Sequence, residues 1–182
     1  ETICSREESF TQNYWRSLKK AGHTVLIATG RPYRMAEKFY RQLQLDTPMI
    51  NFNGSLTHIP GKQWDFEQEI LIDKQYLIDF LDNEKSFEAI FIAGEYKNKF
   101  FITQDNIDEI YPSLMGVEKI TPDTLIRRER ITSDPHSILM HTRAEDRYAL
   151  ADEMKKHFKY ELEINTWGGP LNILETCAKG VS

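Results

Sequence analysis

The chain has 182 residues, of which 40% are hydrophobic and 28% charged, so it can bury a sizeable core and is not expected to be disordered. Its net charge of −5 argues against a general nucleic-acid binder, which needs clustered positive charge. No apolar run reaches the roughly 18 residues of a membrane span, and two cysteines are too few for a disulfide framework. With no signal-peptide pattern at its start, we expect a cytoplasmic protein with no membrane and no nucleic-acid partner.

The first part of the chain alternates helices with short strands. An apolar residue at every fourth position predicts a helix over residues 7–20. Residues 23–29, HTVLIAT, are typical of a strand buried on both faces of a parallel sheet. Pro32 suits the first turn of a second helix, and residues 48–54, PMINFNG, predict a second strand that ends in a turn. This order predicts an α/β domain with right-handed crossovers.

After residue 54 the pattern changes to alternating aromatic and charged residues. Helices are predicted over residues 73–82, 106–115 and 145–158, and strands over residues 87–92, 99–103, 137–142, 160–166 and 171–176. These patterns predict an α+β unit over residues 54–170, inserted into an α/β unit made of residues 1–53 and 171–182.

The turn after the first strand carries the clearest candidate site. Thr29 and Gly30 end the strand, and Arg31 follows immediately before the second helix. The carboxyl edge of a parallel sheet and a helix N-terminus together favour an anion such as phosphate, and Arg31 could add a charge-assisted contact. The same residues also fit a plain turn and helix cap, just as Asn53-Gly54 is first of all a turn signal.

Other catalytic patterns are absent from the sequence. It contains no Gly-x-Ser-x-Gly elbow, no His-Glu-x-x-His pair and no Walker-type lysine loop. Phosphate binding at the sheet edge is therefore the one chemical signal that the residues themselves provide.

Three strings in order carry a resemblance to a known family. IATGRP at residues 27–32, INFNGSL at residues 50–56 and LNILETCAKGVS at residues 171–182 enclose a long α+β segment. The whole chain resembles the haloacid dehalogenase superfamily, and within it the Cof-type phosphatases. The resemblance implies a partial Rossmann-like α/β core with an inserted α+β cap of the C2 type. It also implies Mg²⁺-dependent hydrolysis of small phosphorylated metabolites, such as sugar phosphates, through an aspartyl-phosphate.

The resemblance also implies roles for single residues. Thr29 matches the threonine of the second family motif, a catalytic residue that holds the transferring phosphoryl group together with the backbone of Gly30. Asn53, followed by Gly54, matches an asparagine near the active-site entrance and the hinge to the cap. Lys179 belongs to the string that precedes the third-motif lysine.

The remaining family motifs have no complete match. ETICS at residues 1–5 resembles the tail of the first motif, Asp-x-Asp-Gly-Thr, with Thr2 at its threonine and Glu1 at its glycine. Both aspartates would precede Glu1, the motif lysine would follow Ser182, and the magnesium site would lie further along. We therefore expect a portion of a longer phosphatase, inactive by itself, with no metal site of its own and with the Mg²⁺ ligands outside it. The alternative is a non-catalytic binding or regulatory module with a degenerate core, of which Glu1 would be one sign.

Overall fold

The structure, a computed structural model, describes residues 14–103 and 110–181. Parts of two predicted helices, residues 7–13 and 106–109, lie outside the described residues. So do Glu1 and Thr2 of the partial first motif.

The first sheet has four short strands in the order β1-β2-β3-β4. Its elements are helix α1 (residues 14–20), strand β1 (Ile27–Ala28), helix α2 (Tyr33–Gln42), and strands β2 (Met49–Asn51), β3 (Leu56–His58) and β4 (Gln68–Glu69). Strand β1 pairs with β2 in parallel, whereas β3 and β4 add antiparallel strands. Because α2 connects two parallel neighbours, this part is a βαβ unit, as the helix–strand order predicted.

One face of the first sheet is covered by helices. Ala36 and Tyr40 of α2 are buried against Val25 and Met49, and Leu18 of α1 packs on the same cluster. Of the apolar stripe predicted for residues 7–20, Leu18 packs on this layer, whereas Tyr14 is 55% exposed.

Strand β1 differs from its prediction in length and burial. It spans two residues rather than the seven of residues 23–29, and Leu26 is 49% exposed. Because Leu26 and Ala28 are both exposed, the prediction of a strand buried on both faces is wrong for this part of the chain. Within the described residues, β1 pairs with β2 alone.

The second sheet has five antiparallel strands in the order β6-β5-β7-β9-β8. Its elements are helix α3 (Lys74–Asp82), strands β5 (Ala89–Glu95) and β6 (Phe100–Ile102), helix α4 (Ile110–Leu114), strand β7 (Ser137–Thr142), helix α5 (Arg147–His157), and strands β8 (Leu162–Thr166) and β9 (Ile173–Ala178). Asp73 and Asp146 cap α3 and α5 by accepting hydrogen bonds from backbone N–H groups of the first helical turn. The predicted mixed α/β fold with an α+β unit is confirmed.

The two faces of the second sheet have different surroundings. Ile92, Met140 and Leu174 point to the face where α3 and α5 contribute Phe80 and Met154 to the main core. Because side chains alternate along a strand, the intervening residues lie on the opposite face, which is turned toward the first sheet.

The boundaries between the two units lie elsewhere than predicted. Strands β3 and β4 continue the first sheet as far as Glu69, beyond residue 54, and the chain crosses to the second sheet through residues 70–73. Strand β9 does not return to the first sheet at Leu171, because it pairs with both β7 and β8 in the second. An apolar run specifies a buried strand but not its partners, which explains this error. No helix in residues 14–103 and 110–181 has the length and apolar character to cross a membrane.

Phe52 and His136 join the two sheets by an aromatic contact. Their rings stack with centroids 4.7 Å apart, and His136 is 3% exposed, with no hydrogen-bond partner for either ring nitrogen among the described residues. Burial lowers the pKa of His136 to about 4; Lys97 and His58 add to this effect, and Glu69 opposes it.

This burial makes a pH-dependent contribution to stability. As the pH falls from 7.5 to 5, the unfolded chain protonates His136 near its ordinary pKa while the folded chain does not, so stability is lost. We expect wild type to lose about 2 kcal/mol more of its unfolding free energy than His136→Phe over this interval. Urea denaturation at both pH values measures the difference. The exposed His23 provides the control, because His23→Phe should lose as much unfolding free energy as wild type between the two pH values. An equal loss in His136→Phe and wild type would contradict the effect.

Candidate active site

A cleft of about 590 Å³ lies between the end of β1 and the face of the second sheet that is turned toward the first sheet, here called its open face. The strand-end turn contributes Thr29, Gly30, Arg31 and Pro32 to its lining. The apolar surface of the cleft consists of Met35, Phe52, Leu114, Leu139, Trp167 and Leu171. Its other polar lining residues are Glu95, Ser113, Ser137 and Glu175. An apolar cavity with a few converging polar groups is the usual form of a small-molecule site.

Backbone hydrogen bonds hold the Thr29–Gly30 turn in place. The Thr29 N–H donates to the Ile50 carbonyl at 3.0 Å, and the Thr29 carbonyl accepts from the Asn53 N–H at 3.3 Å. The Thr29 hydroxyl oxygen accepts from the Arg31 N–H at 3.1 Å. Because that oxygen accepts within the turn, the hydroxyl can direct its own hydrogen at an anion in the cleft.

A buried polar pair, Asn51 and His58, supports the same turn. The Asn51 amide donates to the Arg31 carbonyl at 2.8 Å, and its oxygen lies 3.0 Å from Nε2 of His58. Both side chains are buried, and burial lowers the pKa of His58. A neutral His58 can donate from Nε2 to Asn51 and so orient the amide. Sequence reasoning missed both residues, although a polar residue inside the apolar string PMINF was a visible signal.

Gly30 and Asn53 approach each other closely. A Cβ atom at position 30 would lie 2.6 Å from the Asn53 amide oxygen, so a side chain there would displace Asn53. Asn53 itself has a left-handed backbone, with φ 57°, which asparagine tolerates better than most residues. The structure thus brings Asn53 next to Thr29 and Gly30, which lie well before it in the sequence.

Arg34 and Glu95 form a buried ion pair, of which Glu95 lines the cleft. Nη2 of Arg34, on α2, lies 2.6 Å from Oε2 of Glu95, on β5, and both side chains are largely buried. Arg34 also donates from Nε to the Met115 carbonyl at 2.9 Å and lies over the Phe100 ring. Burial raises the pKa of Glu95 to about 7, and the Arg34 guanidinium opposes that rise. Sequence reasoning missed this pair, since only the packing of the two sheets brings it together.

Glu175 lies on β9 at the far side of the cleft. Its Oε2 accepts a hydrogen bond from Nε1 of Trp167 at 2.9 Å, which holds the carboxylate in one orientation. Burial raises the pKa of Glu175, while the Trp167 and Asn53 side chains oppose the rise.

Comparison with known proteins identifies the family. The sequence model of haloacid dehalogenase-like hydrolases matches residues 5–182. The chain belongs to the haloacid dehalogenase-like hydrolase family. A curated relative is the 5-amino-6-(5-phospho-D-ribitylamino)uracil phosphatase YitU of Bacillus subtilis strain 168, which is 26% identical over 184 residues and matches 100% of this chain.

Solved structures of haloacid dehalogenase proteins share this fold. A haloacid dehalogenase-like hydrolase from Bacteroides thetaiotaomicron matches 100% of the chain with a TM-score of 0.75 and 13% identity. The subclass IIB sugar phosphatase BT4131 matches 96% with a TM-score of 0.67 and 15% identity. The chain spans 67% of the length of YitU and 66% and 64% of these two structures. Similarity at this level of identity establishes the fold of the haloacid dehalogenase family.

Not all of the family-matched residues line the cleft. Thr29, Gly30 and Arg31 do, whereas Lys179 is exposed in the turn after β9 and does not. Asn53 lies beside Gly30, but Asn53 and Gly54 precede β3 of the first sheet, so the connection between the sheets lies elsewhere. The role of Asn53 and Gly54 as a hinge therefore has no support from the strand order.

The described residues do not form a metal centre. Within residues 14–103 and 110–181, no group of three or more His, Cys, Asp or Glu side chains could hold a metal ion. The described part of the cleft therefore does not fit Mg²⁺, and the expectation that its ligands lie elsewhere stays a prediction.

Proposed function

We propose that the full-length protein is a phosphatase that hydrolyses small phosphate monoesters, with the cleft as its substrate site. The observation that carries this proposal is the Thr29–Gly30 turn, whose residues line the cleft with the Thr29 hydroxyl beside the Arg31 N–H. Membership in a hydrolase family supports it, as do the phosphatase names of YitU and of the sugar phosphatase BT4131.

The chain's own residues bind and orient the phosphoryl group in this proposal. The Thr29 hydroxyl donates to one equatorial oxygen, the Gly30 backbone lies beside it, and the Arg31 guanidinium adds positive charge. An aspartate carboxylate outside the described residues attacks phosphorus. The ester P–O bond breaks, and the leaving oxygen takes a proton from a second aspartic acid. Water then cleaves the aspartyl-phosphate and releases inorganic phosphate.

The other parts of the proposal follow from the resemblance. Mg²⁺ would neutralise phosphate charge in the whole enzyme, bound by ligands other than the described residues. The 182 residues alone are expected to be inactive, since the family carboxylates have no match among them. We place the enzyme in the cytoplasm, with a phosphorylated metabolite such as a sugar phosphate as its partner.

Replacing Thr29 tests the proposed function directly. Thr29→Val keeps the side-chain shape but removes the hydroxyl, so kcat/KM for p-nitrophenyl phosphate should fall about 10- to 100-fold in the full-length protein with Mg²⁺. Thr29→Ser keeps the hydroxyl and should stay within a few-fold of wild type.

Two outcomes would contradict the proposal. Equal kcat/KM for Thr29→Val and wild type would remove Thr29 from phosphate binding. A wild-type protein that binds phosphate esters but hydrolyses none, with or without Mg²⁺, would instead support the non-catalytic binding module.

A further inference from the structure

The open face of the second sheet carries acidic groups brought together by strand register. Glu95, Ser137 and Cys177 are direct partners on β5, β7 and β9, so their side chains share one face. Glu175 is two residues before Cys177 and therefore lies on that face as well. Glu95, Ser137 and Glu175 line the cleft opposite the phosphate-binding turn.

The cleft is electrostatically asymmetric. Its only cationic lining residue among the described residues is Arg31, beside Thr29 and Gly30. The opposite wall presents the carboxylate of Glu175, whereas that of Glu95 is paired with the Arg34 guanidinium. A phosphate is therefore attracted to one end of the cleft, whereas a second anion at the other end would meet like charge in a partly desolvated site.

The Glu175 carboxylate is oriented to accept hydrogen bonds from a ligand. Trp167 donates to Oε2 and the Asn53 side chain interacts with the same carboxylate, so the group is held in place at the cleft surface. An ionised carboxylate only accepts hydrogen bonds, so its suitable partners are hydroxyl or amino groups. The neighbouring surface of Trp167, Leu139 and Leu171 is apolar and favours the carbon skeleton of such a group.

We propose that Glu175, held by Trp167, selects phosphate monoesters whose leaving group is a hydroxyl- or amino-bearing chain without a second anion. Sugar-alcohol phosphates belong to this class, and sugar-acid phosphates and bisphosphates are excluded from it. The inference rests on the proposed phosphatase function, because it concerns the leaving-group end of the same cleft.

Two substrates that differ at one carbon test this selectivity. D-Glucitol 6-phosphate carries a terminal CH₂OH group at the carbon where 6-phospho-D-gluconate carries a carboxylate. For the full-length protein with Mg²⁺, kcat/KM should favour the glucitol ester at least 30-fold. Glu175→Gln keeps the size and removes the charge, so this ratio should narrow at least 10-fold, mainly because turnover of the gluconate ester rises.

A matched variant, and a substrate with no anionic group besides its phosphate, separate the possible outcomes. Glu163 shares the sheet face through its pairing with Cys177 but does not line the cleft, so Glu163→Gln should keep the wild-type ratio. No hydrolysis of p-nitrophenyl phosphate by wild type would overturn the phosphatase function and this inference with it. Wild type that hydrolyses p-nitrophenyl phosphate but shows equal kcat/KM for the glucitol and gluconate esters, or hydrolyses neither of them, would overturn the selectivity and leave the phosphatase function standing. A ratio that Glu175→Gln leaves unchanged, in a variant with wild-type Tm, would overturn the role of Glu175.

Discussion

Arg34→Met is expected to lower the free energy of unfolding by about 3–5 kcal/mol at pH 8. The substitution leaves Glu95, whose side chain is 3% exposed, without the guanidinium that lies 2.6 Å away. The folded protein must then either hold a buried, unpaired carboxylate or bind a proton at a pH well above the group's ordinary pKa. Urea denaturation of the variant and wild type at pH 8 measures the loss.

The pH dependence of this loss identifies Glu95 as its cause. A glutamate whose folded pKa is raised binds its proton more tightly when folded, so it stabilises the fold at low pH and the stability is lost as pH rises. At pH 5 the Arg34→Met penalty should therefore shrink to about 1–2 kcal/mol. Arg34→Met/Glu95→Gln should recover at least half of the loss at pH 8. A penalty independent of pH, with no recovery in the double variant, would assign it to lost packing of the Arg34 side chain.

Phe80→Ala is expected to lower the free energy of unfolding by about 3–5 kcal/mol. Phe80 is fully buried on α3, and its ring stacks on Phe158 with centroids 5.0 Å apart and planes 6° from parallel. The Phe87 ring contacts the Phe80 ring edge-on, with centroids 5.8 Å apart. Truncation removes these contacts and leaves a cavity in the main core behind the second sheet.

Phe66 provides the matched control for Phe80. It is 72% exposed, so Phe66→Ala should change the unfolding free energy by about 0.5 kcal/mol or less. Circular dichroism in urea compares the two variants with wild type. Equal losses for Phe66→Ala and Phe80→Ala would contradict a core formed between the second sheet and helices α3 and α5.

Local sequence patterns predicted most of the individual elements. Apolar residues at helical spacing over residues 73–82 correspond to α3, and the turn between two aromatic strands corresponds to the β5–β6 hairpin. These signals depend on neighbours in the chain, such as a buried stripe or a capping aspartate, and are therefore readable without the fold. The strings around Thr29 and Asn53 also indicated the family, which the match over residues 5–182 confirmed.

Strand partners could not be read in this way. Residues 171–176 had the apolar character of a buried strand, yet the same pattern fits either sheet. The structure places Ile173–Ala178 between β7 and β8, because pairing depends on which edge the folded chain offers. Strands β3 and β4 were both missed. Strand β4 carries no apolar pattern, since Gln68 and Glu69 are exposed, and β3 has only three residues, of which Leu56 and His58 are buried.

The sequence by itself determined the turn of Thr29, Gly30 and Arg31, because the anion binding predicted there depends on residues adjacent in the chain. Only the tertiary structure decided what faces that turn. Glu95 and Glu175 are 80 residues apart and line one cleft because antiparallel register aligns β5, β7 and β9. Long-range register is a property of the assembled sheet, so the acidic wall of the cleft became visible only in the fold.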